Sequence, residues 1–157
     1  MAVKPKDKKG PVAINKKAYR DFELLDKFEA GMELLGSEVK SARQGGIDLK
    51  GSYVRLIRDE CFLVGASISP YKQAGINNHE PLRNRKLLLH KAEIKKIIVK
   101  LEQRGFAFVP LKVYFNSRGL AKIEIALARG KKQYDKRKNI AERQQKRDLA
   151  RDMKKYR

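Results

Sequence analysis

Lys131, Lys132, Lys136 and Arg137 surround the ring of Tyr134 and the carboxylate of Asp135 within seven residues of sequence. Cations so spaced displace counterions from a polyanion, and arginine adds bidentate phosphate contacts and planar stacking. An aromatic ring among them offers a platform for an unpaired base. The same interleaving of rings with charge recurs at Tyr19, Tyr71, Tyr114 and Tyr156. Unstacked bases are displayed by single-stranded and loop RNA rather than by duplex DNA, so this chemistry points to RNA.

Catalytic chemistry is not expected. His79 and His90 are the only histidines, and with Cys61 as the sole cysteine they do not complete a zinc site. Neither a GxxxxGK[ST] loop nor a GxGxxG turn is present to cradle nucleotide phosphates. Asp59 and Glu60 fall between two strand-like runs, where acids serve turns. A metal-dependent nuclease needs several convergent carboxylates, which a chain of net charge +20 does not suggest. We therefore expect no enzyme activity, no cofactor, no metal and no small-molecule substrate.

The charge is unevenly placed. Residues 1–20 carry +6 and residues 129–157 carry +9, which leaves +5 for the long middle. A near-balanced body with basic ends is the pattern of a nucleic-acid binder. No apolar run approaches a membrane span and none follows the N-terminus as a secretory signal would, so neither membrane nor export is expected. Lone Cys61 in an apolar run fits a buried thiol in a reducing compartment, and the expected location is the cytoplasm.

Positioning such groups falls to a single domain. Residues 1–13 read as a flexible basic arm, 14–130 as a barrel domain and 131–157 as a basic tail. Phe22, Leu24, Phe28 and Met32 suggest an irregular strand with a bulge at Gly31. Leu35, Val39 and Ala42 predict a short helix that carries Lys40 and Arg43 on one side. Residues 53–57 and 61–67 predict a hairpin, and residues 70–86 a long loop. Ile94, Ile97, Ile98 and Leu101 form the stripe of a second helix ending at Gly105. In the last hairpin Leu111, Val113 and Phe115 alternate with Lys112 and Tyr114 on one strand, and Ile123, Ile125 and Leu127 with Lys122 and Glu124 on the other. The fold class is mainly β: an oligonucleotide-binding-like antiparallel barrel with flanking helices and a basic C-terminal tail. In the tail Asn139 to Glu142 reads as a capping box, yet apolar residues are few. The tail is expected to be disordered when free and to fold as a helix against a polyanion.

Five stretches then carry a resemblance: Asn15-Lys16-Lys17-Ala18, Phe28-Glu29-Ala30-Gly31, residues 36–43 (GSEVKSAR), residues 81–90 (PLRNRKLLLH) and residues 128–137 (ARGKKQYDKR). In this order, over nearly the whole chain from Val12, they make it resemble the SsrA-binding protein (small protein B) family. The resemblance implies an RNA-binding adaptor that binds the tRNA-like domain of transfer-messenger RNA and delivers it to stalled ribosomes for trans-translation. It implies barrel-side RNA contacts at Asn15, Glu29 and Leu88, with Lys40, Arg43, Arg83, Arg85 and Lys86 as neighbours. It implies a tail that occupies the small-subunit decoding centre and the vacant messenger path through Lys131, Lys132, Tyr134, Asp135, Lys136, Arg137, Met153 and Lys154. A ribosomal protein or general RNA chaperone is the alternative reading of the same features.

Overall fold

The computed structural model describes residues 10–131 and 133–155, and of Gln133 to Lys136, Asn139, Asp152 and Lys155 only the backbone. Among the described residues nine strands and four α-helices follow in order. They are β1 (Ala13–Ile14), α1 (Lys16–Asp21), β2 (Phe22–Met32), α2 (Gly36–Arg43), β3 (Ile47–Asp48), β4 (Tyr53–Ile57) and β5 (Glu60–Val64). Then come β6 (Ser67–Ile68), a 3-10 segment (Lys72–Asn77), β7 (Arg85–Leu88), α3 (Lys91–Leu101), β8 (Phe106–Phe115), β9 (Ala121–Gly130) and α4 (Gln133–Lys155).

Seven strands form one antiparallel sheet in the order β1-β8-β4-β5-β7-β2-β9, and β9 pairs back with β8. The sheet therefore curls into the expected barrel-like form. Its weakest seam is between β4 and β8, where Val54 opposite Phe108 is the single register pair. Strands β3 and β6 form a separate two-stranded ribbon. The interior is filled by alternate residues of the long strands, among them Leu63, Leu87, Phe108, Val113, Ile123 and Ile125, with Ile97 of α3 closing one side. Cys61 is buried there, and burial pushes its thiol up to about 11.

Several expectations are corrected by local geometry. Val12 and Ala13 do not belong to a free arm, because Val12 N–H donates to Val113 O at 2.8 Å and Ala13 pairs with Val113. The irregularity of β2 lies between Leu24 and Lys27 rather than at Gly31. Gly31 serves a close approach instead, since a Cβ there would stand 3.3 Å from Leu88 Cβ. Leu111 does not share the face of Val113. A register shift between Pro110 and Lys112 turns Leu111 and Val109 outward onto Ala126, Ala128 and Ala18, a second apolar cluster beneath α1. The loop over residues 70–86 is partly ordered, containing the 3-10 segment and the start of β7. Position 139 does not open a helix, for α4 begins six residues earlier at Gln133, and no Gly or Pro separates the two.

Candidate nucleic-acid interface

The eight barrel residues singled out by sequence fall in four places. Glu29, Lys86 and Leu88 share a groove of about 770 Å³ with Lys91 and Lys122. Leu88 is 51% exposed and sits opposite Gly31, whose lack of a side chain leaves room for it against the neighbouring strand. Lys86 donates to Glu60 Oε1 at 2.7 Å, and that bond raises its ammonium above the ordinary value. The Tyr114 hydroxyl donates to the Glu29 carboxylate. Partial burial, followed by this bond and the charges of Glu29 and Glu124, pushes Tyr114 up to about 12.

Lys40 and Arg43 occupy the outer side of α2. The Lys40 ammonium lies 5.5 Å from the centre of the Tyr71 ring, and the Arg43 guanidinium 5.1 Å from that of Phe115. Such cation–π contacts hold a charge in place without neutralising it. Arg43 Nη2 also donates to Gly119 O at 3.2 Å.

On the inner side of α2 the arrangement is different. Arg85 and Glu38 are both fully buried, with Arg85 Nε donating to Glu38 Oε1 at 2.9 Å. The remaining Arg85 nitrogens donate to Ala66 O at 2.8 Å and Pro81 O at 3.0 Å. Arg83 reaches the same carboxylate from the rim, through Nη2 at 2.7 Å and Nε at 3.2 Å. Leu35 N–H adds a bond to Glu38 Oε2 at 2.8 Å. Burial alone would raise the Glu38 carboxyl, but the bonds from Arg83 and Leu35 and the charges of Arg85 and Arg83 leave it below its ordinary value. Burial in turn pulls Arg85 down, against the pull of Glu38.

Two of the sequence expectations change role here. Arg85 has no exposed surface to offer RNA, because its donors are spent on the framework. Asn15 is likewise buried, where its oxygen caps α1 by accepting from Ala18 N–H at 3.1 Å. Its amide nitrogen donates to Pro110 O at 3.0 Å and Leu49 O at 3.3 Å. Glu38 is the functional support that sequence reasoning missed. Its signal was present: an acid at the third position of a helix, where a carboxylate reaches back to the preceding N–H.

The tail leaves β9 at Lys131, whose N–H donates to Asp21 O at 3.1 Å, and continues as α4. Lys132 lies outside the described residues, and Tyr134, Asp135 and Lys136 are described by backbone alone. Arg137 and Lys154 are exposed, as is Met153 at 73%. Arg143 Nη2 touches Tyr19 O at 3.3 Å, near the C-terminal end of α1. Among the described residues no cluster of acids, histidines or cysteine could hold a metal, and no helix is long and apolar enough to cross a membrane.

Comparison with known proteins bears on the whole of this arrangement. The family described as SmpB protein matches residues 12–155. A protein of Syntrophobacter fumaroxidans called SsrA-binding protein is 55% identical over 140 residues, which covers 89% of this chain and 86% of that one. An SsrA-binding protein of Thermosipho africanus is 50% identical over 133 residues, covering 85% and 89%. Among solved structures, a chain described under "tmRNA-SmpB: a journey to the center of the bacterial ribosome" is 48% identical, with a TM-score of 0.67 over 79% of this chain and 87% of that chain.

Proposed function

The chain belongs to the SmpB protein family, and on that premise we propose that it is an RNA-binding adaptor of trans-translation. It binds the tRNA-like domain of transfer-messenger RNA and delivers it to stalled ribosomes. The observation that carries this reading is the extent of the family match, which runs from Val12 to Lys155 through both the sheet and the tail helix. A module that shared only the barrel with the family would share a fold without its task.

The division of labour follows from where charge is accessible. Residues 14–130 form the RNA-binding unit. Glu29, Lys86 and Leu88 meet RNA from one groove, and Lys40 and Arg43 from the outer side of α2, with Arg83 at the rim between them. Asn15 and Arg85 hold the frame to which those side chains are attached. In the tail, the helix α4 has few apolar residues to hold it, so it is marginal in the free chain and is fixed by the ribosome. There Lys131, Lys132, Tyr134, Asp135, Lys136, Arg137, Met153 and Lys154 occupy the decoding centre and the empty messenger path. The work is that of a cytoplasmic adaptor rather than an enzyme, with no cofactor.

Sequencing the RNA that copurifies with the full chain tests this reading. The expected result is strong enrichment of transfer-messenger RNA, with ribosomal RNA at a small fraction of one copy per protein. Stoichiometric ribosomal RNA without transfer-messenger RNA would instead describe a ribosomal protein.

A further inference from the structure

The loop between β6 and β7 is pinned to α2 by polar contacts. Ser41 Oγ donates to Ser69 O at 2.6 Å. His79 is 6% exposed and bridges Ser37 Oγ and Ile68 O, each at 2.9 Å. The carbonyl can only accept, so Nε2 carries the proton in that bridge. Within the loop Asn78 makes a reciprocal pair with the backbone of Tyr71: it accepts from Tyr71 N–H at 3.0 Å and donates to Tyr71 O at 2.8 Å. Gly75 takes the turn between, at φ +56, a conformation costly for other residues. Preorganisation of this kind removes the ordering cost that a flexible loop would incur on binding.

What the loop presents is a groove of about 550 Å³ against α2, lined by Leu35, Ser37, Lys40, Tyr71, Gln73 and Asn77 among others. None of its eight lining residues is acidic, whereas the Leu88 groove contains Glu29, Asp59, Glu60 and Glu93. Lys40 forms no ion pair among the described residues, and its ammonium rests over the half-buried Tyr71 ring. Gln73 and Asn77 supply amide side chains, each with both donors and an acceptor, at the groove's edge.

We propose that this groove is a pocket for one unpaired nucleobase of the bound RNA. The base stacks on Tyr71, its polar edge meets the Gln73 and Asn77 amides, and Lys40 swings from the ring to the adjoining phosphate. The proposal rests on the adaptor reading, since it names a contact that RNA makes with this chain. A ring, a cation and amides without a carboxylate suit a nucleotide, whereas a basic peptide would find no counter-charge there.

The test uses a transcript of the tRNA-like domain of transfer-messenger RNA and the full-length protein. Tyr71→Ala should weaken binding roughly 5- to 150-fold, the range of one base–aromatic stack, by the same factor at low and high salt. Tyr71→Phe keeps the ring and should bind as the unaltered protein does. Lys40→Ala should instead reduce the salt slope by about one. With the unaltered protein, 4-thiouridine placed through the transcript should crosslink to the peptide holding Tyr71 to Asn77, a readout that does not depend on any variant folding. Equal affinity for Tyr71→Ala, or crosslinks confined to other segments, overturns the pocket while leaving the adaptor reading intact. Failure of the unaltered protein to bind the transcript overturns both.

Discussion

Among the described residues, several cations of the sheet domain are paired with acids, whereas those of the tail helix are almost all without an ion pair. Arg83 and Arg85 meet Glu38, Lys86 meets Glu60, Lys27 and Lys112 share Glu124, and Arg129 meets Glu23. In α4 the ion pair among the described side chains is a 4.0 Å contact of Arg151 with Asp148, both well exposed. Its apolar residues are outward too, with Ile140, Leu149 and Met153 from 51% to 73% exposed. The comparison separates two uses of charge. Matched and buried, it fixes a frame; unmatched and exposed, it waits for a polyanion. The outer side of α2 belongs with the tail in this respect, because Lys40 and Arg43 rest on rings rather than on carboxylates.

The largest effect should come from separating the two regions. A chain ending at Gly130 loses α4 and its few contacts with α1, but keeps every strand and both apolar clusters. We expect it to fold and to bind transfer-messenger RNA, yet to give no detectable tagging on stalled ribosomes. Full tagging by this variant would end the division of labour. The companion measurement is circular dichroism of a peptide of residues 131–157, expected to be mostly coil in dilute buffer. Strong helicity of the isolated peptide would place tail folding before the ribosome rather than on it.

Next in size is the buried cluster. Glu38→Gln leaves the Arg85 guanidinium in the interior without its counter-charge, a change that costs about 3–5 kcal/mol. Urea denaturation should show it as a lowered midpoint at unchanged slope. Replacing both partners with apolar residues of similar volume should be far milder, because no charge is then stranded. The pH dependence has a definite sign. The Glu38 carboxyl is held below its ordinary value of 4.5, so the stability it contributes is present above that value and is lost as pH falls through the depressed one. A Glu38→Gln protein should lack that part of the acid transition. An acid limb identical in both proteins would mean that the cluster is not what holds α2 to the loop.

How far this could be read from sequence depends on length and burial. Helix α3 was legible because Ile94, Ile97, Ile98 and Leu101 keep one period along it. The β8–β9 hairpin was legible because Val113 and Phe115, then Ile123 and Ile125, alternate along their strands on either side of the turn. Helix α1 was not, since its six residues bury only Ala18, and β3 and β6 are two residues each. The turn of Leu111 to the other face follows from a register shift that alternation alone cannot reveal. Among the candidate site residues, Arg83 and Arg85 look alike in sequence. Their difference is that β7 points Arg85 inward, between Glu38 and two carbonyls, and leaves Arg83 on the rim. Residue type announces a charge; only the fold decides whether water or RNA can reach it.

Smaller again is the pair on the outer side of α2. Lys40→Ala with Arg43→Ala should leave the melting temperature nearly unchanged, because neither side chain is buried or ion-paired among the described residues. RNA affinity should fall, and the slope of log affinity against log salt should drop by about two. Loss of stability in place of slope would assign these residues to packing, with the framework rather than the interface.

The finest test concerns Tyr114 and Glu29, where frame and interface meet. The Tyr114 hydroxyl donates to a carboxylate that also lines the Leu88 groove. Both groups are partly exposed, so Tyr114→Phe should cost less than about 1 kcal/mol. Its signature lies in titration. Tyr114 is raised to about 12 from an ordinary 10.0, so its bond contributes fully below the ordinary value and is lost as pH rises through the raised one. An ultraviolet difference titration should show Tyr114 ionising late, and Tyr114→Phe should remove that late step. If RNA draws on the Glu29 carboxylate, the bond to Tyr114 must be shared or given up, and Tyr114→Phe should then change RNA affinity measured at neutral pH. Unchanged affinity would return Glu29 to the frame, alongside Asn15 and Arg85.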